Sequence, residues 1–191
     1  MAELGLAKLA GCTTAMISGD DRRHELIQKM GITPICRRRF PFLKFDPDRY
    51  KSDPKFRQQY LGCEEQFLAL VRQHTGNNGV SIFIDLIGMP VYRVTLKALA
   101  RPGIITTAGW REGMNLSMIR ALECMNWHTH VHTHYARYEE AQDAVKFAAA
   151  SGWIPSIDEE ICKWEDIPCL AQKCVEGRIS SYFPIYEINA A

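Results

Sequence analysis

The stretch "VSIFIDLIG", Val80 to Gly88, constrains the fold of this chain more than any other. It is strand-length and almost unbroken in its apolar character. A strand with one solvated face alternates polar and apolar residues; a run like this one belongs in a sheet covered on both faces, which in practice is a parallel sheet flanked by helices. Its surroundings agree. "EEQFLALVRQHTG" (64–76) before it has helical spacing, and Pro90 after it suits the first turn of a helix "PVYRVTLKALA".

The same alternation runs through the chain. "AELGLAKLAG" reads as a small-residue helix ended by Gly11, and "CTTAMIS" (12–18) as a buried strand. In "GDDRRHELIQKMG", Asp20 or Asp21 can cap a helix that carries Leu26, Ile27 and Met30 on one face and closes at Gly31. "TPIC" (33–36) and "GIITTAG" (103–109) are further strands. A helix is expected near 113–125, another at 139–152, and strand, helix, strand in the tail. Residues 37–60 mix charge, proline and aromatics, and read as a long irregular surface insertion with one helical turn. Strands alternating with helices of this length imply right-handed β-α-β units, hence an α/β, doubly wound parallel sheet.

Bulk properties exclude several classes. Net charge is +1, so the chain as a whole has no electrostatic footprint for nucleic acid or an acidic membrane. The basic run "CRRRF" with Arg57 is too short to change that. No apolar run approaches the ~18 residues of a membrane span, and no signal peptide opens the sequence. The seven cysteines are scattered, odd in number and without a Cys-x-x-Cys pair. Free thiols in a reducing cytoplasm are the expectation.

Taken in order, "LAKLAGC", "SGDDRRHELIQKMG", "IFIDLIG" and "LKALARPGIITTAG" resemble the medium-chain dehydrogenase/reductase superfamily. The insertion with "DPKF", "GIITTAGW" and "HTHYARYEEA" resemble its crotonyl-CoA carboxylase/reductase branch. The resemblance implies a Rossmann-like cofactor-binding domain at 1–153. It implies that 154–191 returns to a substrate domain of the GroES-like kind. It also implies what is missing: no Gly-x-Gly-x-x-Gly occurs at 1–11, and Met1 falls where the helix after that turn has just begun. The Rossmann-like sheet is therefore expected to lack its first strand and Gly-rich loop, as in a truncated or split enzyme whose partner chain supplies them.

The end of the second strand of such a fold selects the cofactor. An acid there favours the ribose hydroxyl of NAD; small and basic residues favour the 2′-phosphate of NADP. Here Ser18 and Gly19 come first, and Asp20 and Asp21 look like helix caps. By resemblance Arg23 matches the basic position that contacts the 2′-phosphate, and Arg38 can add charge to the same pocket. These arginines suit a solvated surface equally well. The cofactor implied is NADPH. Gly88, Ala108 and Gly109 sit at carboxyl ends of strands, where backbone can approach a nicotinamide; as turn glycines, Gly88 and Gly109 would have the same spacing. Trp110 can line the pocket or simply be half-buried, and Tyr135 and Tyr138 suit a core as well as a site.

"NWHTHVHTHYARY" carries His128, His130, His132 and His134 at every second position, so on a strand all four share a face. At ~3.3 Å per residue the outer two lie about 20 Å apart, so one metal cannot hold all four, and no metal site is expected. His134 in "THYARY" matches, by resemblance, the histidine that faces the substrate and helps hold CO2. The other three are expected to be structural or interfacial, on an edge strand 128–135 through which the chain pairs as a homo-oligomer.

The function expected from the resemblance is an NADPH-dependent enoyl-thioester (enoyl-CoA) reductase, or a reductive carboxylase, or a subunit or fragment of one. Its ligand would be an acyl-CoA or related enoyl thioester, with His134 catalytic. Two alternatives stand beside it: a quinone- or alkenal-type reductase of the same superfamily, and a non-catalytic remnant that acts as a binding or assembly module.

Overall fold

The computed structural model describes residues 1–107, 112, 125, 129–133, 137–155, 161–179 and 184–187. The expected α/β pattern is present. Every ladder among the described strands is parallel, and the chain divides into two compact units, residues 1–38 with 138–191 and residues 39–137.

In the first unit, α1 (Ala2–Leu9) leads to β1 (Ala15–Ser18), α2 (Asp21–Lys29) and β2 (Thr33–Cys36). Asp20 is the N-cap of α2; its carboxylate accepts the Arg23 N–H at 3.2 Å. Gly31 takes the left-handed conformation that ends the helix (φ 68°). β1 and β2 pair in parallel, Ala15 opposite Thr33 to Ser18 opposite Cys36, and Ile27 of α2 is fully buried. The same unit holds α6 (Tyr138–Ser151), β6 (Ile161–Lys163), α7 (Ile167–Val175) and β7 (Ile185–Glu187), with β6 and β7 paired.

In the second unit, β3 (Val80–Ile84), β4 (Leu99–Thr107) and β5 (Thr129–Thr133) form a sheet in the order β3-β4-β5. α5 (Met89–Ala98) covers one face through Tyr92 and Leu96, which pack with Leu99, Ile105 and Phe83. Among the described strands, β5 is the last of its sheet. His130 is exposed and in register with Ile104. His128 and His134 lie outside the described residues.

The insertion differs from the irregular segment that its composition suggests. Residues 47–75 are two helices, α3 (Pro47–Ser52) and the 22-residue α4 (Pro54–Thr75). Each opens on Asp-Pro. Asp46 caps α3 and Asp53 caps α4, each followed by proline at N1, where its missing N–H costs nothing. Two prolines within eight residues look like helix breakers, yet each one follows a cap and starts a helix.

α4 buries Phe56, Tyr60, Cys63, Phe67 and Val71 along one stripe, and with them Glu64, only 5% exposed. Glu64 accepts hydrogen bonds from the Tyr60 hydroxyl (3.0 Å) and the Lys97 ammonium of α5 (2.6 Å), with Arg93 Nε at 3.9 Å. Lys97 and Arg93 stay 35% and 40% exposed, so water takes up their charges once Glu64 is removed, and the loss is that of the hydrogen bonds to Glu64. Glu64→Ala is expected to destabilise the chain by about 1–2 kcal/mol and Glu64→Gln by less. Urea unfolding curves of the two variants check both values.

Candidate active-site elements at the carboxyl ends of the strands

In an open α/β sheet ligands bind beyond the carboxyl ends of the strands, so those ends define the candidate site. At the end of β1, Ser18 is buried and its hydroxyl oxygen accepts the Asp20 N–H (3.3 Å). The His24 ring nitrogen Nε2 donates to the Ser18 carbonyl (2.8 Å), which fixes the turn from α2.

Gly19 follows. A Cβ on Gly19 would lie 3.1–3.4 Å from the Arg37 guanidinium, so this side chain lies directly against the glycine. Arg37 is exposed and has no hydrogen-bond or ion-pair partner among the described residues. The other arginines differ. Arg38 is paired with Asp21, which together with Cys36 favours its charged form. Arg23 donates to the Ile179 carbonyl (2.9 Å) and so ties the tail to α2.

Of the predicted residues, the structure therefore brings Ser18 and Gly19 together and adds Arg37 to them. Arg23 and Arg38 are engaged elsewhere. The sequence holds three consecutive arginines, Arg37 to Arg39, in a 3-10 turn. Successive side chains in such a turn diverge by about 120°, so only the turn's orientation on β2 decides which one meets Gly19.

At the end of β3, Asp85 is 2% exposed. Its Oδ1 accepts the N–H groups of Ile87 (2.8 Å) and Gly88 (3.2 Å). This bonded turn sets the start of α5, and Gly88 caps that helix at φ 97°, a conformation that a Cβ disfavours. Oδ2 is buried without a partner among the described residues. Burial pushes the Asp85 carboxyl above the usual range, against the two N–H bonds that lower it. Sequence reasoning passes over Asp85 because it sits inside an apolar run; an acid at that position is the available signal. Ala108 and Gly109 lie outside the described residues, as does His134.

No family model matches this chain, and no curated protein does. Solved structures match over most of its length. The crotonyl-CoA carboxylase/reductase AntE in complex with NADP superposes at a TM-score of 0.77, with 18% identity over 93% of this chain and 44% of that chain. The 2-octenoyl-CoA carboxylase reductase CinF in complex with NADP and 2-octenoyl-CoA gives 0.71 and 14%, over 96% of this chain and 39% of that one. The alcohol dehydrogenase from the hyperthermophilic archaeon Aeropyrum pernix gives 0.64 and 16%, over 93% and 44%. The chain thus has the α/β fold shared by crotonyl-CoA carboxylase/reductases and alcohol dehydrogenases, and spans less than half the length of these structures. No helix among the described residues is long and apolar enough to cross a membrane.

Asp85 gives a test by pH. Its folded-state carboxyl binds a proton more tightly than the unfolded one, so its ionisation opposes folding as pH rises above the usual carboxylate range. Asp85→Asn keeps the acceptor for Ile87 and Gly88 but cannot ionise. The melting temperature of Asp85→Asn relative to the unmodified chain is expected to increase from pH 4 to pH 8, as measured by thermal melts across that range.

Proposed function

We propose that this chain is the nucleotide-binding portion of an NADPH-dependent enoyl-thioester reductase acting on an enoyl-CoA. The observation that carries the reading is the uncommitted Arg37 guanidinium against Gly19 and beside Ser18, at the carboxyl end of β1. A guanidinium binds phosphate oxygens bidentately, and the glycine leaves room for a phosphate to come close. The two acids nearby do not compete for a ribose hydroxyl: Asp20 is committed to the N-terminus of α2 and Asp21 to Arg38. The NADP in the AntE and CinF complexes and the enoyl-CoA in the latter support the same reading.

When bound, the cofactor supplies a hydride. Ser18, Gly19 and Arg37 hold its 2′-phosphate, with Arg23 and Arg38 bracing the surrounding turns. Gly88, with Ala108 and Gly109, lets backbone lie close to the nicotinamide. His134 is the residue assigned to the substrate. Residues 1–153 form the cofactor domain and 154–191 belong to the substrate domain. Pairing of copies through the strand at 128–135 completes the assembly.

Titration of the chain with NADPH, NADH and 2′,5′-ADP tests the reading. NADPH and 2′,5′-ADP are expected to bind, with NADH weaker. Loss of a charge-assisted contact of about 1.5–3 kcal/mol corresponds to roughly tenfold or more in affinity. Arg37→Gln should therefore lower NADPH affinity about tenfold and leave NADH unchanged, whereas Arg38→Gln should shift neither strongly. A folded chain with no affinity for any of the three would instead support an assembly module without turnover.

A further inference from the structure

The loop from α4 to β3 reads "TGNNGV", Thr75 to Val80, and Asn78 is the one asparagine in the sequence that is followed by glycine. The side-chain carbonyl carbon of an asparagine lies within reach of the next residue's backbone nitrogen. Glycine, without a Cβ, leaves that nitrogen unshielded. Asn77 and Asn78 are both exposed, and the Asn78 carboxamide has no hydrogen-bond partner among the described residues.

The backbone around it is held in place. Gly76 ends α4 in the left-handed conformation (φ 57°), and Asn77 continues it (φ 69°). The Asn77 N–H donates to the Arg72 carbonyl (2.9 Å) and the Asn78 N–H to the Thr75 carbonyl (3.1 Å). The Gly79 N–H is held by a side chain instead. It donates to the Thr75 hydroxyl (3.1 Å), which itself donates to the Val71 carbonyl (2.8 Å). Among the described residues, this one neutral hydrogen bond stands between the Gly79 nitrogen and the Asn78 amide.

We infer that Asn78 is a site of spontaneous deamidation in the folded protein, with Thr75 setting its rate. The Gly79 nitrogen attacks Asn78 Cγ. A bond forms between them, the bond from Cγ to Nδ2 breaks, and Nδ2 leaves as ammonia with the proton that Gly79 gives up. The cyclic imide then takes up one water at either carbonyl, and nothing is oxidised or reduced. Opening gives aspartate, or isoaspartate, in which the main chain runs through the side-chain carbon.

The isoaspartyl product adds one atom to the backbone immediately before Gly79, and there is no slack at that point. A Cβ on Gly79 would lie 2.7 Å from the Leu99 and Ala100 backbone. The next residue, Val80, opens the β3-β4 ladder opposite Leu99, so the added atom pushes on the first pair of the sheet. Either product also places a carboxylate in a cavity of about 180 Å³ that Asn78 shares with Arg72 and Lys97. There it stands past the negative end of α4 and offers Lys97 an alternative to Glu64. Deamidation is thus a slow release of the contacts that seat α4 and the start of β3. The inference uses no residue of the Ser18, Gly19 and Arg37 cluster and is independent of the reductase reading.

The test is to warm the folded chain at mildly alkaline pH, digest samples with trypsin and follow the fragment 73–93 by mass spectrometry. Exchange of the amide for an acid is expected at Asn78, with the isoaspartyl form present. Thr75→Val is expected to speed it about two- to tenfold, the rate equivalent of one neutral hydrogen bond, and Thr75→Ser to restore the original rate. Glu64→Gln loosens the same unit elsewhere and should change the rate less than Thr75→Val does. The aged chain is expected to melt below the fresh one, whereas Asn78→Gln should melt alike before and after. An Asn78 that stays intact in the folded chain while it deamidates in urea overturns the inference. Equal acceleration by Thr75→Val and Glu64→Gln overturns the role of Thr75. A fully modified chain that melts like the fresh one overturns the consequence for β3.

Discussion

Glu64 holds the second unit together. It is a carboxylate on the apolar stripe of a long helix, and it is stable there only because Tyr60, Lys97 and Arg93 meet it. Lys97 and Arg93 lie on α5, so the cluster ties α4 to the helix that starts at Gly88 and covers Phe83 and Ile105. The Arg93 guanidinium also faces the rings of Phe45 and Tyr50 at 4.8 and 5.2 Å. Those rings come from the insertion. One buried acid thus sets the seat of the insertion on α5.

The two strand ends follow one logic with different chemistry. At β1 the backbone is left open by a glycine, and a cation without a partner among the described residues stands over it. At β3 the backbone is bound tightly by Asp85, whose second oxygen is sealed in without one. A buried carboxyl of this kind is a cost to the folded state. It falls at the edge where the fold class places its ligand. Chains that match this one at 14–18% identity keep the same arrangement of strands and helices. The fold survives such divergence because it depends on apolar pattern and caps rather than on particular side chains.

Most of the fold is legible in the residues alone. Asp20, Gly31 and Pro90 mark helix ends through short-range backbone chemistry, and each stands at or next to the terminus that it predicts. The run at Val80 to Gly88 signals a parallel sheet, and β3 does pair in parallel with β4, but the expected cover on both faces is not met, because Ile82 is 59% exposed. The helices of the insertion are hidden for a local reason as well. Asp-Pro is shared by turns and helix starts, and the pair alone does not distinguish them.

The site is legible only as a neighbourhood. Sequence by itself determined that small residues and several arginines gather after two successive strands of an alternating α/β chain, because parallel pairing and crossover hand follow from the alternation of elements. It could not select among Arg23, Arg37 and Arg38. That choice depends on the direction of a 3-10 turn and on the Asp21 carboxylate and Ile179 carbonyl, which occupy two of them. Nor could it show that Asp85 is sealed or that Asn78 shares a cavity with Arg72 and Lys97. Those are distances between residues far apart in the chain or turned toward each other by packing, and only the tertiary structure decided them.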